Sequence, residues 1–227
     1  MTRVLPAASP ALMLRALNLD DLDAVDALNQ LAVGPVVDPN VVKPESHDYF
    51  ESIFKGRGFF MGVFDGPELI AYGILQHDHP VKDDPRPSLG LAPGAPVGRL
   101  AGARVAPAYR GRGLQRALIA ARVAAAPADM LLYSTAAPVN TPSWSSLLAE
   151  GFAIRAIQRL FGGYARYLMV RDGSTGDPDH TLLVDPLDTD RQNALFAEGW
   201  RGYSRGRLPS GAAGVVFARP VAPGAAR

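Results

Sequence analysis

The sequence predicts a mixed α+β fold: a twisted, mostly antiparallel sheet flanked by helices, with a strand–helix–strand–strand unit appended at the C-terminus. Three observations predict it. Apolar residues recur at helical spacing in some segments and cluster in short strand-like runs in others. The strands ahead of residue 106 are joined by a hairpin signal, so they read as an antiparallel meander and not as βαβ units. The order strand, helix, strand, strand then occurs twice after residue 128.

Leu12 to Ala16 reads as an opening strand. Asn18 can cap a helix running to Ala32, with Leu22, Val25, Leu28 and Ala32 on one face. A second helix is expected over Ser46–Phe54. "GFFMGVFDGPELIAYGILQHD" (residues 58–78) carries two apolar, aromatic-rich runs around Asp65-Gly66, a strong hairpin signal. The proline-rich stretch 79–98 is expected to hold no regular element, and to serve as a lid or be disordered. Next come a strand (Arg99–Val105), a turn rich in glycine and arginine, and a helix (Leu114–Ala125) with Leu114, Ala117, Leu118 and Ala121 on its apolar face. Asp129–Thr135 is a strand. In "NTPSWSSLLAEGF", Asn140 or Thr141 can cap a helix, Pro142 suits its first turn and Gly151 can end it. "AIRAIQRLF" and "ARYLMVRD" are strands joined through Gly162-Gly163.

The expected division is residues 1–172, then a C-terminal extension, 173–227, that opens with a polar linker, "GSTGDPD". The extension then reads as strand, helix capped at Asp188, strand, strand. "HTLLV" (residues 180–184) echoes "DMLLY" (129–133) at an offset of 51, and "LFAEGW" (195–200) echoes "LLAEGF" (147–152) at 48. The extension is therefore read as a candidate partial repeat of residues 129–172. A glycine-ended helix before an aromatic strand start is also a generic pattern.

Composition removes several functions. The chain has 227 residues, 48% hydrophobic and 20% charged, which is a globular balance. A net charge of +1 gives no global attraction to nucleic acid or membrane, so electrostatic function must come from local clustering. The absence of cysteine excludes disulfides, thiolate nucleophiles and cysteine-bound zinc. No signal peptide is read in "MTRVLPAASPALML", and no run approaches the roughly 18 apolar residues of a membrane span. A cytoplasmic location is the expectation. His77 and His79 flank Asp78 but have no partner at metal-binding spacing, so no metal is expected.

The local cluster is "RVAPAYRGRGLQRALI" (residues 104–119). From Arg99 to Ala128 there are six arginines and no acidic residue. A strand that stops near Pro107 and re-enters a helix near Gly113 points free backbone N–H groups at one spot. Gly111 and Gly113 let a ligand approach the main chain, and Arg110, Arg112 and Arg116 add charge. That geometry is an anion site, most often for phosphate. An ordinary strand–helix turn with exposed arginines is the alternative. The P-loop triplet Gly-Lys-Ser/Thr does not occur, and Arg116 stands where the dinucleotide fingerprint needs its third glycine.

These residues resemble the acetyl-CoA signature of the GNAT superfamily of N-acetyltransferases. The signature is a strand ending in Val-x-Pro, then Arg/Gln-x-x-Gly-x-Gly/Ala and a helix. Val105, Pro107, Arg110, Gly111 and Gly113 match, and Gln115 departs from it. Asn140, eleven residues before Gly151-Phe152, matches a second family pattern, and the element order over residues 10–172 agrees. The resemblance implies a GNAT-like sheet and an acetyl-CoA-dependent N-acetyltransferase acting on a primary amine by direct attack on the thioester. It places the CoA pyrophosphate on the amides of Arg110, Gly111, Arg112, Gly113, Leu114, Gln115 and Arg116, the pantetheine beside Ala103 and Val105, and Asn140 at the cofactor. The tyrosine with which family members often protonate the leaving thiolate is here Leu147. Ser143 and Ser146 are nearby hydroxyls. His77 and His79 are candidate bases. A second reading is a non-catalytic acyl-CoA-binding sensor or scaffold. Nucleic-acid binding is disfavoured by the near-neutral charge and the glycines at the cluster's centre. The C-terminal extension is expected to extend the sheet, to pack over the acceptor groove, or to pair with a second subunit as a homodimer.

Overall fold

The computed structural model describes residues 12–34, 38, 40–41 and 45–221. The N-terminal stretch read as lacking a signal peptide lies almost wholly outside the described residues. Strand β1 (Met13–Ala16) leads to α1 (Leu22–Val33). Asn18 caps the single turn ahead of α1, with Asp21 returning a bond to its backbone. Helix α2 (His47–Ser52), capped by Ser46, runs on as one wider turn to Arg57. The expected hairpin forms as β2 (Gly58–Asp65) and β3 (Glu68–Gln76). After α3 (Arg86–Leu89) come β4 (Val97–Val105), α4 (Leu114–Ala125), β5 (Leu131–Ala136), α5 (Thr141–Ala149), β6 (Ala153–Leu160) and β7 (Tyr164–Arg171). The chain closes with β8 (Thr175–Val184), α6 (Thr189–Ala197), β9 (Arg201–Arg207) and β10 (Ala213–Val221).

The ten strands of the described residues form one sheet in the order β1-β2-β3-β4-β5-β7-β6-β9-β10-β8. Every pairing is antiparallel except β4 with β5. Alternation along the strands divides the core. On one face α1 and α2 cover Phe60, Phe64, Tyr72 and Ile74. On the other, α4, α5 and α6 cover Leu75, Leu100, Leu132, Ile154, Met169 and Phe217.

Two expectations are corrected. The proline-rich segment is not devoid of regular structure. Val81–Asp83 and α3 each make a turn, with Pro87 where a helix start tolerates proline and Gly90 (φ +70°) ending it. Leu89 and Leu91 then pack on Val97, Tyr133, Leu168 and Val170, so burial fixes the segment on the α1/α2 face. Five of the seven residues of the "GSTGDPD" linker are strand, since β8 begins at Thr175 and pairs with β10. Pro178 is tolerated because β8 is the edge of the sheet and the register slips there.

The C-terminal unit extends the sheet, and the two strand–helix–strand–strand units share one topology: β5-β7-β6 and β8-β10-β9. Their registers match at a single shift of 48. Ser134 faces Met169, and Leu182 faces Phe217. Ile154 faces Met169, and Gly202 faces Phe217; each pair is followed by the same bulge. Trp144 Nε1 donates to Pro138 O (3.1 Å) and Gln192 Nε2 to Pro186 O (2.9 Å). Arg171 and Arg219 each donate 3.2 Å to the carbonyl of the glutamate ending the helix, Glu150 or Glu198. The offset of 51 read from the strand letters is thus replaced by 48. The units meet where Ile154 pairs with Gly202, itself a 48-residue step, so an approximate two-fold axis passes through that pair. Across it α5 packs on β9 and α6 on β6.

Deleting residues 173–227 would uncover the β6 edge and the apolar residues beneath α6. The shortened chain is expected to self-associate in light scattering and to melt below the full chain. A monomer with an unchanged melting temperature would contradict this account of the junction.

Candidate active site

The site begins with a failure of pairing. β4 and β5 run side by side from Val97/Leu131 to Leu100/Ser134 and then part. Ser134 Oγ makes the last tie, donating to Leu100 O at 2.7 Å. On its other edge β4 changes register against β3 between Gly73 and Leu75, so Ala101 and Gly102 bulge. Beyond Leu100 the β5-facing edge of β4 has no strand partner through Val105, which opens a gap beside Ala103 and Val105.

Arg122 of α4 holds the bulge. Its fully buried guanidinium donates to Ile74 O (2.9 Å), Leu118 O (2.9 Å) and, more weakly, Ala101 O (3.4 Å). Burial pulls its pKa down to about 9, so it is still charged at neutral pH. Gly73 makes room for it: a Cβ there would lie 2.7 Å from Arg122 Cζ. Sequence reading counted Arg122 in the basic cluster and missed this role, because facing is set by the fold.

The turn is built as expected. Gly111 (φ +77°) and Gly113 (φ +78°) take left-handed conformations, and a Cβ at either would meet nothing within 4 Å among the described residues, so the glycines border open space. The Ala117 N–H reaches Gly113 O (3.1 Å), leaving the amides of residues 111–116 without a backbone acceptor among the described residues. The arginines around it are held by the protein. Arg110 donates to Ala32 O (2.8 Å) and Val105 O (3.4 Å), Arg112 lies 4.8 Å over the Tyr109 ring, and Arg116 pairs with Glu150 (2.8 Å). Arg104 is turned away from the cluster and buried against Glu45 (2.9 Å) and Asn29 (3.0 Å). Leu114 packs in the core below the turn, and Gln115 follows it on the first turn of α4.

Other candidates separate. Asn140 caps α5, its side chain accepting from the Ser143 amide (3.2 Å). The Ser146 hydroxyl is spent on Pro142 O (2.7 Å). Leu147 is core. His77 is exposed beyond β3. His79 is half-buried, its ring 6.0 Å from that of Tyr133, and its Nε2 is buried without a hydrogen-bond partner among the described residues. Desolvation first, then Arg99 and Arg86, lower its pKa below 6.5, so the ring is neutral at pH 7. Sequence reading missed the side chains beside it. Gln76, Arg99 and Tyr133 stand opposite one another on β3, β4 and β5, one step before the strands part, and the Tyr49 hydroxyl donates to Gln76 Oε1 (3.0 Å). Burial raises Tyr49 and Tyr133 to about 12, so both keep their protons.

A family model described as Acetyltransferase (GNAT) family matches residues 27–152. Among solved structures, Arabidopsis thaliana NAA60 in complex with acetyl-CoA is 17% identical, with a TM-score of 0.54 over 70% of this chain and 98% of that one. The ribosomal-protein-S18-alanine N-acetyltransferase of Escherichia coli is 18% identical, with a TM-score of 0.52 over 70% and 92%. A phosphinothricin acetyltransferase from Sinorhizobium meliloti in complex with AcCoA is 17% identical, with a TM-score of 0.51 over 70% and 87%. Each shares the fold with this chain. No curated protein sequence matches it. No helix among the described residues is long and apolar enough to cross a membrane.

Replacing Gly73 by alanine puts a methyl group against the Arg122 guanidinium. The expected cost is about 1–3 kcal/mol in denaturant unfolding, the range for overpacking a tight core. An unchanged midpoint would mean that Arg122 does not fix the bulge.

Proposed function

Because the chain belongs to the GNAT acetyltransferase family, we propose that it is an acetyl-CoA-dependent N-acetyltransferase that transfers an acetyl group to a primary amine. The observation that carries this reading is the pair of left-handed glycines ahead of α4, bordering open space, together with the loss of β4–β5 pairing beyond Leu100. The amides of residues 111–116 would take the pyrophosphate, which a helix N-terminus favours by geometry and partial charge. The pantetheine arm would lie along the unpaired edge of β4 beside Ala103 and Val105. The thioester would then reach the fork below which β4 and β5 are still paired.

The amine attacks the thioester carbonyl directly. The new C–N bond forms, the C–S bond breaks, and the electron pair leaves on sulfur. His79 is the group we assign to take the ammonium proton, since its Nε2 is neutral, buried and unsatisfied. With Leu147 where a proton donor would stand, CoA departs as thiolate and takes up the second proton, the one nitrogen sheds as the amide forms. A binding module without turnover is the competing reading, favoured by Leu147 alone. The homodimer considered from the sequence would need a surface other than the β6 edge, which β9 already occupies.

Acetyl-CoA is expected to raise the melting temperature of the full chain, and CoA release in the presence of a panel of amines is expected to distinguish enzyme from sensor. Gly113→Val should weaken acetyl-CoA binding by about 2 kcal/mol, roughly 30-fold, by straining the turn and crowding the amides. His79→Gln should abolish the acid limb of the kcat/KM profile. In the wild type the rate falls as pH drops through the depressed pKa of His79, because protonation removes the base. A profile flat below pH 6.5 in the wild type would remove His79 from the mechanism.

A further inference from the structure

Most arginines lining the α1/α2 face meet a carboxylate. Arg104 pairs with Glu45 (2.9 Å), Arg86 with Asp84 (3.0 Å), Arg15 with Asp21 (2.7 Å) and Arg57, at 3.9 Å, with Asp78. Arg99 does not. It is only partly exposed, yet among the described residues no side chain or carbonyl accepts from its guanidinium. Gln76, opposite it on β3, is satisfied at both ends: Oε1 by the Tyr49 hydroxyl (3.0 Å) and Nε2 by Asp78 O (2.9 Å). Tyr133, opposite it on β5, is buried as a residue and also has no partner for its hydroxyl among the described residues. His79 beside Tyr133 presents the unsatisfied Nε2 described above.

A cation with a planar fork, a neutral hydroxyl donor and a neutral imidazole acceptor thus gather at one place with unmet hydrogen-bonding capacity. Guanidinium and phenol hydroxyl together match a carboxylate. The imidazole matches an ammonium. The row sits one residue below Leu100/Ser134, the last pair before the gap, and a strand advances about 3.3 Å per residue. A carboxylate held at Arg99 therefore leaves a nitrogen one or two carbons away at the level where the strands part. Resting on the acetyltransferase reading above, we propose that the acceptor is an amino carboxylate, an amine whose carboxylate lies within one or two carbons of the nitrogen, and that Arg99 with the Tyr133 hydroxyl binds that carboxylate. His79 takes the ammonium proton, nitrogen bonds to the acetyl carbon, the C–S electron pair leaves on CoA sulfur, and the second nitrogen proton passes to that sulfur as the amide forms.

The test uses the full-length chain, the standard amino acids and the carboxamide of each, with CoA thiol release and melting shift in the presence of CoA as readouts. At least one amino acid is expected to be acetylated with kcat/KM about tenfold or more above its carboxamide, the effect of a charge-assisted hydrogen-bond pair. Arg99→Gln should bring that ratio to within about threefold, mainly through KM, and Tyr133→Phe, which removes only the hydroxyl, should reduce it part-way. Equal use of acid and amide, an equal loss on both in Arg99→Gln, or no response to any amino acid in either readout overturns the proposal. If acetyl-CoA itself gives no melting shift with the wild type, the acetyltransferase reading fails and takes this one with it. A shift with acetyl-CoA but no acid preference sinks this one alone.

Discussion

Arg122 carries its charge from α4 into the core, where, among the described residues, carbonyl oxygens and no carboxylate receive it. Taking an ion out of water costs several kcal/mol, and hydrogen bonds to a charged group return about 1.5–3 kcal/mol each. The bonds to Ile74 and Ala101 fall at the register shift between β3 and β4, so the balance is met only with the bulge in place. The bulge turns β4 from β5, and the same side chain locks α4 against β3. One buried cation thereby sets both the gap and the direction in which the N-terminus of α4 points.

The sheet then acts as a wall with a slot. Behind it α4 and α5 frame the glycine turn. In front of it, α2 and the packed proline-rich segment frame Tyr49, Arg99, Tyr133 and His79. A donor and an acceptor approaching from opposite faces would meet only at the slot, where Leu100 and Ser134 make the last pair. This division suits direct transfer, in which no covalent intermediate on the protein has to be accommodated.

Local signals carried the fold far. Helices with a capping residue ahead of them or a clear apolar face, α1, α4 and α5, lie where their residues place them, and Asp65-Gly66 turns the hairpin. The bend was legible because two closely spaced glycines just ahead of a helical pattern favour left-handed backbone, which Gly111 and Gly113 both adopt. What could not be read is what depends on facing. Arg99, Arg104 and Arg122 belong to one stretch of basic sequence, yet one lines the front of the slot, one is buried against Glu45 and one is buried behind the bulge. The Gly73–Arg122 complementarity joins residues on different elements and has no local signature. The proline-rich segment has little intrinsic regularity, and burial of Leu89 and Leu91 against the sheet orders it. The likeness of the two units was visible in their helix ends, but matching similar letters in the strands gave a shift three residues off, since pairing register counts positions and not residue types.

The approximate two-fold at Ile154 and Gly202 has a further consequence. Two separate chains meeting edge to edge would build the same continuous sheet, but at low concentration they would come apart. With both halves on one backbone, closure is first order, and the effective concentration is set by the tether between them. The support behind Trp144, Ile154 and Tyr167 is therefore independent of how dilute the protein becomes, and the slot keeps its rear wall at any expression level.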